Sequence, residues 1–138
     1  MLHKTKHATT NFKALKPFID RVDAVGGYSK FKAGGYMDLV IERLYYTDGG
    51  DNAVYSIAHY GLQNGDLMSD PEMTFAVDEK HGRIYPRSFR NDYIGLYQEV
   101  FEDDDKKYRP GLFIELDVFL WQWLKNIKDQ GFSPEEEV

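Results

Sequence analysis

Three carboxylates crowd one short stretch of this 138-residue chain: Asp66, Asp70 and Glu72, in NGDLMSDPE. Oxygen ligands at that spacing suit a hard cation such as Mg²⁺ or Ca²⁺. The stretch does not match the twelve-residue calcium loop, whose glycine and closing glutamate stand elsewhere, and solvation of an acidic loop is the simpler account. Pro71-Glu72 followed by Asp78-Glu79-Lys80 resembles the acidic–acidic–lysine core of metal-dependent nucleases. There two carboxylates hold a cation and the lysine positions the attacking water. In that core the two parts lie on adjacent strands with a longer gap, whereas Lys80 falls in an expected turn. His3 and His7, four apart, would present two imidazoles from a helix, but no third ligand is near in the sequence. His59, beside Tyr60 in an expected strand, reads as a half-buried hydrogen-bonded residue, and His81 sits in a turn beside Gly82.

Nucleophiles are poorly supported. Ser29, Ser56, Ser69, Ser88 and Ser133 lie in no Gly-x-Ser-x-Gly elbow, and the chain has neither a phosphate-cradling Walker loop nor a dinucleotide fingerprint. Gly26-Gly27 and Gly34-Gly35 read as turns. With no cysteine, disulfides, thiolate metal sites, redox pairs and cysteine nucleophiles are excluded together. The expectation is therefore a protein that is not an enzyme, with no cofactor and no metal. The rival is a metal-dependent nuclease or hydrolase using Asp66, Asp70, Glu72 and His59.

Charge and aromatics point toward binding instead. The formal charge of −6 hides a polarised chain. Residues 1–32 hold seven Lys/Arg and two Asp, residues 33–105 hold five Lys/Arg and fifteen Asp/Glu, and residues 106–138 hold five and six. The acidic middle also carries Tyr45, Tyr46, Tyr55, Tyr60, Tyr93 and Tyr97 in expected strands, where alternation sends some of them outward. Exposed tyrosine suits protein interfaces because it buries much area at little entropic cost. An acidic, tyrosine-bearing face would fit a basic partner, such as the nucleic-acid channel of a DNA- or RNA-handling protein. Direct binding of nucleic acid by so acidic a chain is not expected. The partner-contact candidates are Asp66, Asp70, Glu72, Asp48, Asp51, Tyr46, Tyr60 and Asp92.

The elements that must position these residues follow from periodicity. At this length one domain is expected over residues 9–132, after a flexible basic lead-in, 1–8, and before an acidic tail, 133–138. Thr9, Thr10 and Asn11 offer N-cap oxygens for a first helix, on which Phe12, Leu15, Ile19 and Val22 share a face. Pro17 either kinks it or opens a second helix, and Gly26-Gly27 ends it. The period then becomes two. A strand is expected over about 36–46, a turn over 47–52 and a second strand over about 53–60. A loop follows over 61–71, then a third strand through Met73, Phe75 and Val77. Arg83 to Tyr85 begins a fourth strand, which Pro86 ends or marks as an edge, and Ile94, Leu96 and Val100 suggest a fifth. Leu112, Leu116, Phe119, Leu120, Trp123, Leu124 and Ile127 form a helical stripe. Trp123 belongs to that stripe and Trp121 to its margin. Gly131 stands where a left-handed cap would go, letting Phe132 fold back. The fold class is α+β: an antiparallel sheet of about five strands, with an N-terminal helix and a long C-terminal amphipathic helix packed on one face. The basic start lacks an apolar stretch and the longest apolar run is Val118 to Trp121. Neither a signal peptide nor a membrane span is expected, and a cytoplasmic location is.

Three stretches together, HYGLQNGDLMSDPEM (59–73), RSFRNDYIGLYQEVF (87–101) and FLWQWLKNIKDQGF (119–132), resemble a family of small domains of unknown function. That family is carried by integrative conjugative elements, plasmids and phages of gut bacteria. The similarity runs over about residues 36–132 and is loose in the N-terminal third. It implies a context and no catalytic residue. Mobile elements carry accessory proteins that counter host defence or aid transfer. The resulting expectation is a non-enzymatic interaction protein, of anti-CRISPR or anti-restriction type, that inhibits a defence nuclease through its acidic face. A structural accessory subunit that self-associates through a sheet edge or the last helix is a further alternative, and the oligomeric state is left open.

Overall fold

A computed structural model describes residues 4–47 and 52–135. Helix α1 spans Ala8–Ala24 and turns Leu15, Phe18, Ile19 and Val22 inward. It begins earlier than the Thr9–Asn11 caps imply. His7 stands at the N-cap without a side-chain bond, and Asn11 points inward to donate to the backbone carbonyl of Asp117 at 3.3 Å. Pro17 neither splits nor ends the helix, because it lies on the solvent side where the donor it removes leaves no buried carbonyl bare.

Helix α2 spans Pro110–Asp129, with proline in its first turn, where a missing N–H costs nothing. Both helices end in the same six-residue cap. In α1, Gly26 N–H donates to Asp23 and Gly27 N–H to Val22. In α2, Gly131 N–H donates to Lys128 and Phe132 N–H to Ile127. Gly26 and Gly131 take left-handed φ of 95° and 93°, as that cap requires. Phe132 folds back and is buried, as its position after Gly131 led one to expect.

Six strands form one antiparallel sheet in chain order: β1 Tyr28–Phe31, β2 Leu39–Thr47, β3 Asn52–Gln63, β4 Asp66–Asp78, β5 Arg83–Asn91 and β6 Leu96–Glu99. A small hairpin of β7 (Phe101–Glu102) and β8 (Lys107–Tyr108) leads into α2. The α+β class and the two flanking helices are as the sequence indicates. The sheet has one strand more than the expected five, because the four-residue β1 was too short to register as a period.

Residues 61–71, expected as a loop, are mostly strand. β3 and β4 continue past them and turn on Asn64-Gly65, whose φ of 53° and 85° are those of a tight hairpin that twists with its strands. Pro86 neither ends β5 nor lies at an edge. It sits beside a register shift, where Arg87 is an extra residue between Thr74↔Ser88 and Phe75↔Pro86, and a bulge tolerates a residue without a donor. The expected fifth strand begins later, at Leu96, because Asp92–Ile94 form a single 3₁₀ turn capped by Asn91.

Register then sorts the side chains. Ile41, Ile57, Met73 and Phe89 lie in one row, and Leu39 pairs with His59. Both helices pack on this side: Phe119 meets Phe89 edge-on at 5.1 Å, Trp123 meets His59, and Tyr55 donates to Asp23 of α1 at 2.7 Å. Among the described residues no helix packs over the two rows that face the opposite way. Its central row is Tyr28–Glu42–Ser56–Thr74–Ser88–Glu99, and the next is Val40–Ala58–Glu72–Arg90–Tyr97.

Candidate functional site

The uncovered side of the sheet is built from small residues in the middle and large polar ones around them. Val40, Ser56, Ala58 and Ser88 are buried although no helix covers them, because the rings and carboxylates flanking them supply the cover. Tyr28, Tyr45 and Tyr97 stand roughly half exposed at 50%, 49% and 58%. Glu42, Glu72 and Glu99 share the side with one cation of the same rows, Arg90.

The hydroxyls and carboxylates of this side are coupled. Tyr60 Oη donates to Glu72 Oε1 at 3.5 Å, and Ser69 Oγ donates to the same oxygen at 2.9 Å. Tyr97 Oη donates to Glu99 Oε1 at 2.7 Å. Burial, aided by the charges of Glu72 and Glu42, pushes the Tyr60 hydroxyl up to about 12. The bond to Glu99 does the same for Tyr97, also to about 12. Both phenols thus stay neutral donors. A hollow of about 230 Å³ opens at the β5–β6 end of the side, beside Ser88 and Tyr97.

The residues nominated from sequence are dispersed. Tyr60 and Glu72 belong to the uncovered side. Asp92 lies next to it and is already engaged: its Oδ2 accepts the Ser69 N–H at 2.7 Å and its Oδ1 the Arg90 Nε at 2.7 Å. Those two bonds, the backbone one first, hold its carboxyl below the usual range. Asp70 accepts from Asn91 Nδ2 at 3.3 Å. Asp66 is exposed at the β3–β4 hairpin, and Tyr46 is exposed at the far end of β2. Tyr46 pairs with Ala53 and Asp66 with Gln63, ten residues along β3, so roughly 30 Å separates them. They do not share a patch. Asp48, Asp51 and His3 lie outside the described residues.

The metal set is split as well. Glu72 faces the uncovered side, His59 faces the helices and Asp66 stands at the hairpin. Among the described residues no three His, Asp or Glu side chains are grouped to hold a metal ion. Glu79 of the Asp78-Glu79-Lys80 turn instead pairs with Lys16 of α1 at 2.9 Å, and Asp78 with His81 at 2.8 Å. The residues missed from sequence are Tyr28, Glu42 and Glu99. Only their register on the sheet brings them together.

His59 has a packing role. Its ring lies between Trp123 and Phe132, and Nδ1 is 3.2 Å from the Asp38 carbonyl. Burial lowers its pKa, against smaller opposing effects of the Asp38 and Met37 backbone and of the Asp70 and Asp38 charges. A histidine held neutral in the fold binds its proton more readily when unfolded. Stability is therefore whole above about pH 6.5 and falls below it, by at most about 1.4 kcal/mol per pH unit, until the folded value is reached. Urea unfolding from pH 7.5 to 5 should show this slope, and His59→Phe should remove it. An equal slope in the variant would assign it to other groups.

Comparison with family models matches residues 10–133 to a domain of unknown function, DUF6908. The chain belongs to this family. The match extends into the N-terminal third, where the sequence resemblance is loose, so α1 and β1 are part of the family's domain. Comparison with curated proteins and with solved structures gives no match. Among the described residues no helix is long and apolar enough to cross a membrane, and α2, at 20 residues, carries charges along its length.

Proposed function

We propose that this chain is a non-enzymatic interaction protein of a mobile genetic element. It acts in the cytoplasm and docks the uncovered side of its sheet onto a basic surface of a nucleic-acid-handling host protein. Inhibition of a defence nuclease, of CRISPR or restriction type, is the specific form of the proposal. One observation carries it: register gathers Glu42, Glu72 and Glu99 with Tyr28, Tyr60 and Tyr97 on the one side of the sheet that no helix covers. Aromatic anchors amid carboxylates match what a phosphate-binding groove offers, a line of Lys and Arg with apolar stems between them. Charge complementarity would speed the encounter, and buried tyrosines would hold it.

The test uses the tagged chain and a variant with Glu42→Lys and Tyr28→Ser, two exposed partners across β1 and β2. From a host extract the wild type should retain a protein that mass spectrometry identifies as nucleic-acid-binding and that added duplex DNA releases. The variant should melt within about 2 °C of the wild type, yet lose that partner by about tenfold or more, equivalent to about 1.4 kcal/mol. Equal retention by the variant, or a partner that DNA does not displace, would sink the proposal.

A further inference from the structure

The hollow on the uncovered side is chemically unlike the rest of it. Its volume of about 230 Å³ compares with about 30 Å³ for one water in the liquid, so it has room for a side chain. Three aromatic rings line it, Tyr45 from β2, Tyr97 from β6 and Phe101 from β7. Thr74 and Ser88, also in the lining, are direct partners across β4 and β5 with their hydroxyls hydrogen-bonded to each other. Glu99 stands at the margin. Its Oε1 accepts from Tyr97, which leaves Oε2 open to a second donor.

One cation already lies there, and it is satisfied. Arg87 Nη2 meets both oxygens of Asp105 at 2.9 Å, and its guanidinium lies over the Phe101 ring at 4.6 Å from the centroid. Its side chain is only 14% exposed. The charge still seeking a partner in the hollow is therefore the negative one of Glu99.

An anion would meet Glu99 and would have to take Arg87 from Asp105. An apolar group would strand the open oxygen of the Glu99 carboxylate. Aromatic faces attract cations, and the open groups here are acceptors. A guanidinium satisfies both, because it stacks flat on a ring while its five N–H donors fan out in one plane. An ammonium is a compact, strongly hydrated point charge and satisfies only the second.

We propose that this hollow receives an arginine side chain of the protein partner. The inference rests on the docking function proposed above, and it names the group of the basic surface that anchors there. The Arg87–Phe101 stack is the same contact made within the chain.

The test is a titration of the ¹⁵N-labelled full chain with N-acetyl-arginine amide, followed by NMR. N-acetyl-lysine amide and the uncharged citrulline counterpart are the comparison probes. Saturable shifts are expected at Tyr45, Ser88, Tyr97 and Glu99, with half-saturation in the millimolar range, as befits one charged side chain without the rest of an interface. Lysine should bind at least about threefold more weakly. Citrulline should produce no localised shifts. Glu99→Gln should weaken arginine about fivefold or more while leaving the spectrum elsewhere unchanged. Equal shifts with citrulline, shifts spread over the whole acidic side, or indifference to Glu99→Gln would each overturn the proposal.

The two proposals fail separately. A partner lost by Glu42→Lys with Tyr28→Ser, but no localised arginine shift, removes the receptor and keeps the docking function. A localised arginine shift without any captured nucleic-acid-handling protein keeps the receptor and removes the function proposed for the whole side.

Discussion

Asp117→Ala should lower the stability of the domain by about 2–3 kcal/mol, or about 10 °C in melting temperature at this chain length. Asp117 lies on α2 and is 1% exposed. One carboxylate oxygen accepts the Thr5 hydroxyl at 2.6 Å, and the other accepts the His7 backbone N–H at 3.0 Å. Its own carbonyl accepts Asn11 of α1. Residues 5–11 are thus fastened to the last helix through one acidic residue, and the His7 ring stacks on Trp121 at 4.3 Å beside that joint. Alanine would leave a buried hydroxyl and a part-buried amide without acceptors, and an orphan of the first kind costs about 1–3 kcal/mol. Asp117→Asn keeps an acceptor oxygen and should lose about half as much. A second readout separates this from general loosening: trypsin should cut after Lys4 and Lys6 faster in Asp117→Ala, at a temperature where the rest of the domain is intact. Unchanged melting with unchanged cleavage would remove the fastening role.

Trp123→Ala should cost more, about 3–5 kcal/mol, as for other large aromatic truncations in cores. Trp123 is 6% exposed and is the residue through which α2 reaches His59 on β3 and Phe119 on its own helix. Its removal opens a cavity against the His59 ring and lets water in. The depressed histidine pKa should then move back toward its ordinary value, and the slope of stability below pH 6.5 should flatten. Trp121→Ala is the control. That ring is partly exposed, between His7 and Lys125 Nζ, which lies 4.3 Å from its centroid, so about 1 kcal/mol is expected. Urea denaturation of both variants checks the order. If Trp121 were the costlier loss, the helix–sheet contact would not be the main prop of α2.

The contrast between the two tryptophans was legible in the sequence, because a helix keeps one phase over twenty residues. The α2 stripe, the Gly131 cap and the fold-back of Phe132 all follow from spacing alone. The sheet was less legible, and the reason is physical. Ser69 and Glu72, three residues apart, face the same side and share a hydrogen bond, which strict alternation forbids. An irregularity between Ala58/Tyr60 and the β4 residues opposite absorbs the extra residue. Leu44 does the same in β2 and Arg87 in β5. Each insertion reverses the phase of everything beyond it. Residue type therefore marked Tyr60 as a strand residue and Glu72 only as one of an acidic cluster, while nothing local could say that Glu42, Glu99 and Tyr28 join them on one side of a sheet. The loop expected over 61–71 failed differently. Gly, Asn and Asp are loop formers as a group, yet Asn64-Gly65 among them is the strongest short-range hairpin signal in the stretch.

The joint at Asp117 also has a consequence in time. Thr5 leaves the ribosome 112 residues ahead of its acceptor. At about 5–20 residues per second that interval is roughly 6–20 s. Each strand of the sheet, by contrast, pairs with the one made just before it, so the meander can assemble as it is synthesised. The side bearing Ile41, Ile57, Met73 and Phe89 stays without its complete second helix beyond that interval, because α2 runs on to Asp129. Helix α2 shields the nascent sheet and, in the same step, secures Thr5 and His7 at the start of α1.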